Sequence, residues 1–176
     1  SMGLSLPRGR IERIYLHWSA GDYVTLYPSY HVCVALRDGA AVARPTHDLR
    51  ANMRDLSDAE PGSYAAHTAG RNSFAVGLSI MGMRDATPSD FGTYPLTAVQ
   101  IDALCGIAAE IARAYGIEID AEHVLTHAEA AIVDGYFGTE EDERWDIARL
   151  EPHEADPTPG EAIATGNALR ERIRAR

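Results

Sequence analysis

His17 closes the apolar run Ile14-Tyr15-Leu16 and opens Trp18-Ser19-Ala20-Gly21. An imidazole at the mouth of a buried strand, followed by small residues that give it room, suits metal binding. Two distant pieces supply complementary groups. His127 follows Val124-Leu125-Thr126, and Asp146 ends the triplet Arg144-Trp145-Asp146. Two imidazoles and one carboxylate form the three-ligand set of catalytic zinc, with a fourth position left for water. The other histidines differ in context. His123 precedes Val124-Leu125-Thr126 and belongs at the opposite end of that strand, while His47 and His153 lie in polar, loop-like surroundings. Asp146 sits between apolar Trp145 and Ile147. A carboxylate in an apolar context needs a partner, because burying a lone charge is costly. A metal ion is one such partner, and a salt bridge to Arg144 or Arg149 is the other. Glu129, two residues after His127, can orient a ligand histidine, act as a general base, or be a solvated loop acid.

The elements that must hold these groups can be read from the pattern. Residues 11–17, 30–36, 74–81 and 124–126 read as strands, rich in β-branched and aromatic or small apolar residues. Asp38-Gly39 marks a tight turn, with residues 41–44 returning as a hairpin strand. Residues 47–58 have weak helical character without a stripe, and residues 66–72 form a small-residue loop. The strongest helix runs from Thr97 to Tyr115, with Ile101, Leu104, Ile107, Ala108 and Ile111 at helical spacing. Thr97 with Gln100 reads as a capping box, and Gly116 as the stop. Residues 134–143 form a Gly- and acid-rich insertion. A second helix covers 159–176, with Pro159 at its start and arginines at its end. The fold class is therefore α/β, a mixed central β-sheet flanked by helices.

The bulk numbers bound the remaining possibilities. A chain of 176 residues suits a single domain spanning 1–176, with a core over about 10–150 and a C-terminal helical extension at 159–176. A net charge of −10 argues against nucleic acid as partner. No apolar stretch is long enough to span a membrane. The two cysteines, Cys33 and Cys105, read as buried thiols rather than a dithiol or thiolate zinc site. No basic segment leads into an apolar one near the start, so cytoplasmic synthesis without a signal peptide is expected. The chain is read as a monomer.

His17-Trp18-Ser19-Ala20, Tyr30-His31, Arg37-Asp38-Gly39, His67 with Asn72, and Thr126-His127-Ala128-Glu129 occur in an order that resembles the zinc-dependent N-acetylmuramoyl-L-alanine amidases. This family includes phage amidase-type lysozymes and peptidoglycan recognition proteins. The resemblance covers roughly residues 10–150. It implies Zn2+ held by His17, His127 and Asp146, and peptidoglycan or a muropeptide as substrate. It also implies roles for Tyr30 beside the reacting carbonyl and for His67, Asn72 and Trp18 along the substrate cleft. His31, next to Tyr30, is read as structural. Arg144 stands where the family often has lysine or threonine, two residues before the third ligand, to bind an oxyanion or to pair with a carboxylate. The insertion at 134–143 departs from the family's spacing and makes Asp134 the rival third ligand. A binding module of the same fold that does not cut its ligand is the alternative reading, as is an amidase acting on another amide. With no export signal, a phage-derived lysin that acts on the cell wall after release and a cytoplasmic recycling enzyme both fit.

Overall fold

The computed structural model describes residues 3–139 and 144–176. Five strands form one sheet: β1 (Arg13–Trp18), β2 (Val32–Arg37), β3 (Ala40–Pro45), β4 (Ala75–Ile80) and β5 (Val124–Thr126), in the order β3-β2-β4-β1-β5. β3 pairs antiparallel with β2, and the other neighbours are parallel. The β2–β3 hairpin turns at Asp38 and Gly39, whose φ angles are 52° and 79°. Two successive positive φ values are what a two-residue primed turn requires, which is why Asp-Gly stands there. A 3₁₀ turn covers Leu49–Asn52 where the sequence had weak helical character.

Three α-helices complete the described residues: α1 (Ala98–Tyr115), α2 (His127–Asp134) and α3 (Pro159–Arg174). None of them is long and apolar enough to cross a membrane. Alternation along β1 and β4 decides what each face of the sheet carries. Ile14, Leu16, Val76, Leu78 and Ile80 join Leu104, Ile107 and Ile111 of α1 in the main core. The opposite face carries Tyr15 and His17 from β1, with Ala75, Gly77 and Ser79 from β4. That face of β4 is small at every position, and a layer of histidines occupies the room. On this side α2 packs Ala130 against Tyr15, Ala75 and Leu125.

Thr97 caps α1 by accepting the Gln100 N–H, and Gly116 closes it in the left-handed region. Gln100 departs from the capping-box expectation. Its amide nitrogen donates to the carbonyls of Val34 and Met81, tying the first turn of α1 to the sheet. α3 departs from the expectation of an extension beyond the core, because Leu169 and Ile173 are part of the main core. The expected insertion at 134–143 divides. Asp134 ends α2 and Gly135 caps it, while residues 140–143 lie outside the described residues.

Candidate active site and metal centre

Parallel pairing brings His17 and His127 together. Leu16 is in register with Thr126, so the next residues, His17 and His127, emerge side by side at the C-terminal ends of β1 and β5. This is where open parallel sheets place their ligands. His127 is also the first residue of α2. Thr126 accepts the Glu129 N–H, and the Glu129 carboxylate accepts the Thr126 N–H, a reciprocal cap that fixes the strand-to-helix corner. Asp146 arrives from the other side. Its carbonyl accepts the Ala128 N–H, which binds its segment to the first turn of α2.

His17 Nδ1 lies 3.1 Å from His127 Nδ1 and 3.2 Å from Asp146 Oδ2, and His127 Nδ1 lies 3.4 Å from Asp146 Oδ1. A tetrahedral ion with bonds of about 2.0–2.1 Å sets its ligand atoms roughly 3.3–3.4 Å apart. The three side chains are buried and could hold a metal ion between them. Burial pulls His17 down to about 4, against the opposing hydrogen bond to Asp146. Burial pushes the Asp146 carboxyl up, but the charge of His127 and the hydrogen bonds from His127 and His17 outweigh it, and the group is held well below the usual carboxylate range. Neutral imidazole and ionised carboxylate are the forms a metal needs.

Two clefts meet above these atoms. The smaller, of about 360 Å³, includes Trp18, Tyr30, Trp145 and Asp146 in its lining. The larger, of about 580 Å³, includes Tyr64, Gly70, Asn72 and Tyr136. Ala66, His67, His127 and Arg144 line both. Residues 7–154 match the family model described as N-acetylmuramoyl-L-alanine amidase. The chain belongs to that amidase family. A mutant form of PlyL is a solved structure of similar fold, with a TM-score of 0.50 and 14% identity, covering 96% of this chain and 87% of that one. None of the curated proteins compared with the chain matches it.

The other expected residues of this amidase-family chain fall into two groups. Tyr30 is at the centre: its ring lies 5.2 Å from that of His17 and its hydroxyl reaches the Trp18 carbonyl at 3.4 Å. It precedes β2 rather than opening it. Burial raises its phenol well above the ordinary range. Arg144 stands where the two clefts join. Trp18 reaches the cleft wall, but its indole is packed against Trp145 and Phe91.

Glu129 must be corrected. Its two oxygens pair with the Arg170 guanidinium at 2.8 Å each, and one also accepts the Thr126 N–H. A carboxylate so committed holds α2 to α3 and is not available as a base. Asp134 is likewise withdrawn from the candidate metal centre, because Arg71 binds both of its oxygens at 2.7 and 3.0 Å. His67 also changes place. Both of its nitrogens face protein groups, Thr68 Oγ1 at 2.9 Å and the Ala75 carbonyl at 3.3 Å, so neither is offered to a substrate. Asn72 holds the loop, its side-chain oxygen accepting the N–H groups of His67 and Thr68.

His31 fits its structural reading, since Nδ1 accepts the Gly77 N–H. His123 pairs with Asp120 at the far end of β5, and His153 with Glu161. Sequence reasoning missed Tyr136, whose buried hydroxyl has no partner among the described residues while its ring faces that of His127. It stands beyond α2, a helix the sequence pattern did not disclose.

Proposed function

We propose that this chain hydrolyses the amide between the lactyl group of N-acetylmuramic acid and the L-alanine of the stem peptide, using zinc. Its substrate would be peptidoglycan or soluble muropeptides. The observation that carries this reading is the meeting of His17, His127 and Asp146 at the spacing of tetrahedral ligands, inside a cleft of an amidase-family chain. A non-cutting binding module has no need of a complete ligand set.

His17, His127 and Asp146 would hold the ion. When bound, zinc supplies a Lewis acid for the scissile carbonyl and activates water for attack. Tyr30, kept protonated by its burial, donates its O–H to the carbonyl oxygen as negative charge gathers there. Arg144 sets a positive charge at the junction of the clefts. A substrate amide placed at that junction leaves one cleft for each half of the molecule. Trp18 and Trp145 back the smaller cleft with apolar surface and limit the access of bulk water.

Metal analysis and muropeptide cleavage test the proposal together. Wild type should carry about one zinc per chain, as a three-ligand catalytic site does. His17→Ala should lose both metal and cleavage. Cleavage that survives full chelation would end the zinc mechanism.

A further inference from the structure

Asp134 is the last residue of α2, where the carbonyls of the helix gather negative charge. A carboxylate is unfavourable at that end, and Arg71 is what answers it. The guanidinium is engaged at each of its nitrogens. Nε donates to Asp134 Oδ2 at 2.7 Å and Nη2 to Asp134 Oδ1 at 3.0 Å, while Nη1 donates to the Tyr15 hydroxyl at 3.0 Å. One planar group thus joins the loop before β4, the end of α2, and β1 on the sheet face that also carries His17. The side chains of Arg71 and Asp134 are 21% and 35% exposed. A pair so open to water contributes little to stability. Its bidentate geometry instead fixes a distance and an orientation.

What it fixes is the larger cleft. Gly70 and Asn72, on either side of Arg71, line that cleft, and so does Tyr136, two residues after Asp134. The loop is the stiff partner. Asn72 Oδ1 accepts the N–H groups of His67 and Thr68, the Arg71 N–H donates to the Thr68 carbonyl at 3.0 Å, and Asn52 donates to the Asn72 carbonyl at 3.1 Å. The end of α2 is the looser partner. The buried residues of this helix are its first five, ending at Ala131. Beyond them Val133 is 67% exposed, and Ile132 and Phe137 are only partly buried where they pack toward α3. The placement of Tyr136 therefore depends on what holds Asp134.

We infer that the Arg71–Asp134 pair is a tie that sets the width of the larger cleft, and that both are positioning residues for the half of the substrate seated there. They act through Gly70, Asn72 and Tyr136. The effect on substrate rests on the amidase reading above, whereas the tie itself does not.

Asp134→Asn keeps the shape of the side chain and removes its charge. Hydrogen exchange followed by NMR reads the tie without any substrate. The N–H groups of Gly135, Tyr136 and Phe137 donate to the carbonyls of Ile132 and Ala131. They should exchange about tenfold faster in the variant, the scale of losing one charge-assisted hydrogen bond. Those of His67 and Thr68 should keep their wild-type rates. If Asp134 were only a surface charge, its removal would relieve the helix end and slow exchange there, so the sign decides. With zinc-loaded protein and a soluble muropeptide, KM should rise about tenfold while kcat stays within about twofold, the pattern of lost uniform binding. Arg71→Lys keeps the charge but not the planar fork, and should shift both readouts in the same direction. Unchanged exchange at residues 135–137 overturns the tie. Faster exchange with an unchanged KM overturns its role in the cleft, as does a fall in kcat at constant KM. Failure of wild type to cleave muropeptide would instead sink the amidase reading, and the exchange rates would still decide the tie.

Discussion

Asp134 gives both carboxylate oxygens to Arg71, whereas Asp146 turns both of its own toward histidines. Metal content should therefore separate two alanine substitutions. Asp146→Ala should abolish zinc uptake measured by atomic emission, and Asp134→Ala should retain it. The latter loses a partly exposed ion pair, at a cost of about 1 kcal/mol or less. Equal metal loss in both would remove Asp146 from its special position. Tyr30→Phe should keep the metal and lower kcat roughly a hundredfold, the scale of losing one oxyanion donor. A kcat near wild type in steady-state assays would show that the phenol is only packing. His17 and His127 were legible as candidates because each directly follows a run of apolar strand residues. Glu129 was misread because its partner, Arg170, lies 41 positions away and nothing in the local sequence announces it.

α2 is the element that sequence reading missed. It has eight residues, and its buried positions are mainly alanines, which bury little apolar surface and leave a weak helical stripe. The strands and α1 were legible because their apolar runs and caps are strong, with boundaries moving by only a residue or two. The link from α2 to α3 can be tested at Gly166, where an added Cβ would meet the Glu129 carboxylate at 2.1–2.4 Å. Alanine ordinarily favours a helix over glycine by about 1 kcal/mol. Here the ion pair with Arg170 holds the carboxylate in place, so Gly166→Ala should destabilise by about 1–3 kcal/mol, as overpacking does. Arg170→Met should cost about 3–5 kcal/mol by leaving Glu129 buried and unpaired. Urea titration measures both, and a Gly166→Ala protein more stable than wild type would contradict the tight contact.

At the scale of the whole molecule, one sheet face exchanges hydrophobic burial for a layer of imidazoles, with His31, His67, His17 and His127 ring beside ring. His31 lies away from the proposed ligands, and burial draws it from 6.5 down to about 4. Between those values the unfolded chain binds the extra proton. The stability that His31 contributes is thus fully present above about pH 6.5 and is lost as pH falls toward 4. The gap corresponds to about 3 kcal/mol, by the usual conversion of pKa to free energy. Unfolding free energies measured at steps from pH 7.5 to 4.5 should decline, and decline less in His31→Asn. A flat profile in wild type would show that the layer is not neutral. The α3 clamp has a mechanical consequence. A pull applied behind Arg176 travels along the last helix to a guanidinium, across to a carboxylate, and into the corner that begins with His127. Anything fused there tugs on the proposed reaction centre itself, so an affinity handle or immobilising tether belongs at the other end of the polypeptide.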